Sequence, residues 1–138
     1  MYRLTNAVLA LFIVISAGSY AGSRSDDDVE VVSYKTLLSR NLSNLNKLSV
    51  GMTKSQVMEI MGNFAAETND SRVPNPYKIE LFLVGKSQYE ALWYMTRKYP
   101  PFTPIKLSQA TPVVLKEGKV IGWGIEALQS AKAGSFEK

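Results

Sequence analysis

The stretch LSVGMTKSQVMEIMG, residues 48–62, specifies one short helix with both of its ends written into it. Thr53 is a favoured N-cap and Gln56 stands three residues later, so hydroxyl and amide can each satisfy a backbone N–H that the helix start leaves unpaired. Met52 precedes the cap and can pack on Val57 as a hydrophobic staple. Val57, Ile60 and Met61 form one apolar face, and Gly62 supplies a left-handed stop. A helix of roughly two turns does not persist alone, so this one must dock on something larger.

The segment before it supplies part of that support. Tyr34, Leu37, Leu38, Leu42, Leu45 and Leu48 recur at helical spacing, with Ser39, Arg40, Ser43 and Asn44 on other faces. Three residues, Ser49 to Gly51, join the two helices into a tight helix-turn-helix pair. DNA binding by such a pair is rejected. The second helix is too short, carries only Lys54 and Glu59 as charges, and follows an export signal.

Beyond residue 62 the period changes. Residues 64–76 are polar and proline-punctuated, which predicts a loop. Tyr77, Ile79, Leu81 and Leu83 then alternate with Lys78, Glu80 and Phe82, the pattern of a half-buried strand whose odd-numbered side faces the core. A turn around Gly85 leads to an aromatic-rich second strand over residues 89–97, giving an antiparallel hairpin. Tyr99, Pro100, Pro101, Phe102 and Pro104 forbid regular sheet and predict an extended loop. Residues 111–115 and 119–123 form a second hairpin closed around Glu117 and Gly118, with Pro112 tolerable at a strand start or edge.

The chain of 138 residues holds one domain. Arg3, an apolar run over residues 7–15 and the small residues around Ser19-Tyr20-Ala21 form the layout of a secretory signal peptide, residues 1–21. The apolar run is short for a membrane span, which needs about 20 residues; a retained anchor is the alternative. Residues 22–32, with Asp26-Asp27-Asp28, read as a flexible acidic tether, 33–128 as a single α+β domain, and 129–138 as a frayed tail. The formal charge of +4 includes Arg3 of the leader, and the basic residues are scattered rather than clustered. No nucleic-acid partner is expected.

The chain has no histidine and no cysteine. Cysteine nucleophiles, Ser-His-Asp triads and His- or Cys-based zinc sites are therefore excluded. Glu80 and Glu90, if they faced each other across the first hairpin, would imitate a glycosidase pair; the simpler reading is two exposed glutamates near Lys78 and Lys86. Lys54 and Ser55 are adjacent on the helix and make a poor dyad. The triple Asp26-Asp27-Asp28 lacks the glycine turn and distal glutamate of a calcium loop. The expectation is a protein that is not an enzyme and holds no cofactor or metal.

The pattern Gly51-Met52-Thr53, Gln56-Val57 and Gly62 resembles the small bacterial envelope proteins of the BamE (SmpA/OmlA) family, whose fold is similar to that of β-lactamase inhibitor proteins. The likeness extends over Asn75-Pro76-Tyr77, Leu92-Trp93-Tyr94, Thr111-Pro112-Val113-Val114 and the run from Gly118 to Gly124. It implies a helical pair on one face of a four-stranded antiparallel sheet, with the other face open. It also implies an exported periplasmic adaptor for envelope proteins; an inhibitor of secreted hydrolases is the alternative. Relatives are usually lipoproteins acylated on a cysteine, and without one no lipid anchor is expected. A monomer is expected.

Interface energy comes chiefly from aromatics. Strand alternation places Trp93 and Tyr94 on opposite faces, so Tyr94 is the candidate for exposure, together with Tyr99 and Phe102 on the proline-rich loop. Gly51, Thr53, Gln56, Gly62 and Trp123 are assigned structural roles, with the glycines beside Trp123 allowing a bulge or close backbone approach.

Overall fold

The computed structural model describes residues 29–100 and 102–137. The expected signal peptide, residues 1–21, and all of the tether up to residue 28 lie outside the described residues.

The order of elements is β1 (Glu30–Ser33), α1 (Tyr34–Leu45), α2 (Lys54–Met61), β2 (Phe64–Glu67), β3 (Arg72–Pro74), β4 (Lys78–Val84), β5 (Ser87–Met95), a 3-10 turn (Leu107–Gln109), β6 (Ala110–Lys116), β7 (Lys119–Trp123) and α3 (Ile125–Lys132). The fold is α+β, with three helices and two sheets among the described residues. The expected four-stranded antiparallel sheet is present in the order β4-β5-β6-β7.

Local chemistry sets the helix starts. Ser33 caps α1, its hydroxyl accepting from the Thr36 amide. Thr53 caps α2 with the full reciprocal box: Gln56 N–H donates to Thr53 Oγ1 at 3.2 Å, and Thr53 N–H donates to Gln56 Oε1 at 2.9 Å. Gly62 ends α2 at φ +90°, although its ψ of 149° is extended rather than left-handed helical. An added Cβ there would lie 2.8 Å from Phe64 Cε1, so only glycine fits.

Three differences from the sequence expectation lie at the margins. Residues 30–33 are a strand, not tether, pairing in parallel with β2 from Glu30 opposite Phe64 to Ser33 opposite Glu67. The segment 64–76, expected as loop, contains β2 and β3, an antiparallel pair that completes a three-stranded sheet. The expected frayed tail begins inside α3, and Phe136 and Glu137 pack back onto the domain.

The larger difference concerns the sheet faces. Tyr89, Ala91, Trp93 and Met95 of β5 point into one core with Val114, Phe64, Val73 and Leu37, closed by Leu128 and Ala131 of α3. Leu92 and Tyr94 point the other way, into a second core with Val113, Leu115, Val120, Leu45, Leu48, Val57 and Met61. The expectation of one open face is therefore corrected. Gly122 permits the close packing of α3, since a Cβ at that position would meet Ala127 Cβ at 3.2 Å. The register of β7 slips beside it, leaving Ile121 as a bulge residue between Val120 and Gly122.

Pro112 lies in central strand β6, not on an edge. Its carbonyl accepts from Gly124 N–H at 2.8 Å, so its backbone turns toward the end of β7, where the missing donor interrupts no ladder bond.

Candidate functional surface

Tyr94 is not exposed. It is fully buried in the second core, its hydroxyl has no hydrogen-bond partner among the described residues, and burial pushes its phenol well above the usual range. The alternation was read correctly, but both sides of β5 are covered, so Trp93 and Tyr94 are both interior.

Tyr99 and Phe102 do sit together on the loop between β5 and the 3-10 turn. Tyr99 is half-buried and meets Tyr34 edge to face, with ring centroids 4.9 Å apart. Tyr34 donates its hydroxyl to the Arg97 carbonyl at 3.0 Å, and burial followed by the nearby Tyr99 and Tyr77 phenols raises its pKa to about 12. This aromatic pair anchors the loop base. Phe102, by contrast, is fully exposed and holds φ +62°, a conformation that side-chain-bearing residues adopt rarely. Between this loop and the β2–β3 turn opens a cleft of about 440 Å³, lined by Thr68, Asp70, Tyr77, Tyr99, Phe102 and Ile105. Thr68 shapes its far wall, accepting from the amides of Asp70 and Ser71 and donating to the Ser71 carbonyl.

The structural assignments divide. Thr53, Gln56 and Gly62 act as described above. Gly51, at φ +95°, donates its amide to the Val120 carbonyl at 2.8 Å, and Val120 returns a bond to the Met52 carbonyl at 2.8 Å. The link between α1 and α2 thereby covers the outer edge of β7. Trp123, at 37% exposure, is only partly buried and borders a shallow surface depression with Arg97, Thr111 and Ile125.

The proposed carboxylate pair does not form. Glu80 stands opposite Ala91 and Glu90 opposite Leu81, which places the two side chains on different faces of the sheet. Their partners are not Lys78 and Lys86. Glu90 pairs with Lys54 of α2 at 2.6 Å, and Glu80 pairs with Lys132 of α3 at 2.9 Å while accepting from Trp93 Nε1 at 3.2 Å. The Lys132 ammonium holds the Glu80 carboxyl below its usual range against the opposing effect of burial. Among the described residues, no group of three or more acidic side chains is placed to hold a metal ion. No helix among them is long and apolar enough to cross a membrane.

The sequence reading also missed a surface. Strand β4 is turned over relative to expectation: Phe82 and Val84 pack toward the first core, with Phe82 stacked on Tyr89 at 5.2 Å. Ile79, Leu81 and Leu83 point outward, at 45%, 64% and 72% exposure. Lys78 and Glu80 mark the even-numbered side of KIELFLV as the polar one, yet Phe82 and Val84 on that side carry the packing that buries it.

The arrangement defines a class, an α+β domain whose strand β5 is buried on both sides and whose exposed apolar side chains include Phe102 on the loop and Ile79, Leu81 and Leu83 on β4. The chain belongs to the family described as protein of unknown function (DUF3192), which it matches over residues 23–130. No curated protein and no solved structure matches the chain.

Proposed function

We propose that this protein is a non-catalytic, exported envelope protein that binds another envelope protein and steadies its assembly. The supporting sequence features are the leader-like residues 1–21 and the resemblance to BamE-like proteins carried by Gly51, Thr53, Gln56 and Gly62. The helical pair of α1 and α2, with Val57 and Met61 against the sheet, is the finer arrangement which that resemblance implies.

The observation that carries the reading is Phe102. A fully exposed aromatic ring costs solubility, and a positive φ on a non-glycine residue costs backbone energy. Neither cost is offset by packing among the described residues. Both are accounted for if the ring docks in a partner, beside a cleft deep enough to receive one of that partner's side chains.

The test is in-cell photocrosslinking with the probe at Tyr99 and at Phe102, using buried Tyr94 as the control. One envelope protein captured from both loop positions and not from position 94 is the expected result. No adduct, from a protein shown to be exported and folded, overturns the reading. The same protruding Phe102 also suits an inhibitor that inserts its loop into the cleft of a secreted hydrolase. Failure to inhibit a panel of β-lactamases, proteases and lysozymes at micromolar concentration removes that alternative.

A further inference from the structure

The two edges of the four-stranded sheet are treated differently. The outer edge of β7 is covered by residues 51–53, through the Gly51–Val120 and Val120–Met52 backbone bonds and the bridge between Thr53 and Lys119. Among the described residues, the outer edge of β4 is left open. Glu117 N–H donates to the Gln88 carbonyl at 2.9 Å, so even-numbered residues of β5 turn their backbone groups to β6 and odd-numbered ones to β4. The β4–β5 register then turns the backbones of Lys78, Glu80, Phe82 and Val84 inward. Ile79, Leu81 and Leu83 are left with N–H and C=O on the free edge, and no turn or loop among the described residues bonds to them. The same three residues carry the exposed apolar side chains. A seven-residue edge strand with unpaired backbone and an apolar row is one that folded proteins ordinarily cover, shorten or charge.

We propose that a second copy of this chain covers it, pairing β4 with β4 in antiparallel fashion about a two-fold axis, with Leu81 opposite Leu81. In that register Ile79 of each copy faces Leu83 of the other. All three outward-turned residues then fall in pairs that exchange both backbone hydrogen bonds. The apolar rows of the two copies align, and on the opposite face the charges also match. Glu80 falls opposite Phe82 of the second copy, and Lys132 Nζ lies 5.2 Å over the Phe82 ring while bonding Glu80 of its own chain at 2.9 Å. Each Glu80 therefore meets the second copy's Lys132, and acid and base alternate along the seam. A one-residue slip would set the inward-turned backbones of Glu80 and Phe82 against the partner and lose the ladder. Thus the strand complements itself in both hydrogen bonding and charge, which a generic partner strand would have to match independently. This pairing replaces the expectation of a monomer, and it concerns different residues from the Tyr99–Phe102 loop, so each reading stands or falls without the other.

The chain lacks cysteine, so a single introduced thiol reports directly. Leu81→Cys places two thiols across the axis at about 5.5 Å between Cα atoms, within disulfide range. Leu83→Cys separates them by four residues of strand, about 13 Å, which is out of range. Mild oxidation should convert Leu81→Cys to a covalent dimer and leave Leu83→Cys uncrosslinked. Sedimentation should find the natural chain dimeric and Leu81→Lys monomeric with an unchanged circular dichroism spectrum. A natural chain that is monomeric throughout the micromolar range overturns the proposal, as does equal crosslinking of both cysteine variants or a Leu81→Lys dimer. A photoprobe at Leu81 that captures a different protein in cells, and not the second copy, also overturns it and assigns the edge to that protein.

Discussion

Asn41 Nδ2 donates to Asn75 Oδ1 at 2.9 Å and to the Met95 carbonyl at 2.8 Å, tying the middle of α1 to the end of β5 through two buried amides. Asn75 passes the link on, its Nδ2 lying 3.3 Å from the carbonyls of both Met61 and Gly62 at the end of α2. Two helix segments and a central strand thus meet at one polar junction. Asn41→Ala leaves Asn75 Oδ1 short of a buried donor and is expected to destabilise the fold by about 2–3 kcal/mol in urea titration. Asn75→Ala should cost a similar amount. Because the pair shares one network, the double variant should fall short of the sum by roughly 1 kcal/mol.

Tyr94 and Tyr89 offer a paired comparison on the same strand. Both rings are fully buried, but Tyr94 leaves its hydroxyl without a partner while Tyr89 donates to Glu137. Removing an unpartnered buried hydroxyl relieves desolvation without breaking a bond, so Tyr94→Phe should be neutral or stabilising by up to about 1 kcal/mol. Tyr89→Phe should lower the thermal midpoint, since it removes one of the donors that hold the carboxylate and leaves only Ser87 and Lys116. A marked loss in Tyr94→Phe would show that its hydroxyl has a partner.

Acid should loosen the C-terminal segment. The Glu137 carboxyl is held below its ordinary range first by the Tyr89 hydroxyl, then by Ser87 and Lys116, and burial opposes them. A depressed carboxylate contributes its stability in full above the unfolded-chain value, about 4.3, and loses it as pH falls through the lower folded value. Stability measured from pH 7 downward should therefore hold to about pH 5 and then decline. In Tyr89→Phe that decline should be shallower. Identical slopes for the two proteins would sink the assignment.

The two ends of α2 should respond to single-atom changes. Thr53→Ala removes the acceptor for the Gln56 amide and should cost about 1 kcal/mol. Gly62→Ala should cost more, at least about 1–2 kcal/mol, because it combines a positive φ with a Cβ contact inside van der Waals distance of the Phe64 ring. Equal stability of Gly62→Ala and the natural chain would mean that the turn relaxes freely.

At the loop tip the sign should reverse. Phe102 makes no use of burial and holds φ +62°, so Phe102→Gly should stabilise the fold by about 1 kcal/mol. It should at the same time abolish capture of the partner at the Tyr99 probe. A stable variant that still captures it would separate the ring from recognition.

What the sequence revealed was what short-range chemistry decides. The Thr53–Gln56 box, the stop at Gly62 and the turn at Glu117-Gly118 each rest on residues a few positions apart, and all are found in the structure. Long-range pairing was not legible. Val31 and Val32 acquire meaning only against Ala65 and Ala66, more than thirty positions away, and neither segment alternates. Face assignment failed for a related reason. Strand β5 reads ALWYM at its end, apolar at both parities, because it is buried on both sides, and such a strand carries no sign of which face is covered. The proline-rich Phe102 loop was visible as an interruption of sheet. The outward row of β4 was not, since Phe82 competes with Leu81 for the core side and stacking on Tyr89 decides the matter.

The sharing of β5 between two cores has a consequence for how the molecule opens. Tyr89, Ala91, Trp93 and Met95 fill one core and Leu92 and Tyr94 the other, so a single backbone segment belongs to both. Neither half can melt and leave the other intact, because loosening either withdraws the wall on which its counterpart rests. Two separate cores should therefore give one calorimetric transition. The amides of Ala91 to Tyr94 should be the last to exchange with deuterium, opening only when the entire domain does.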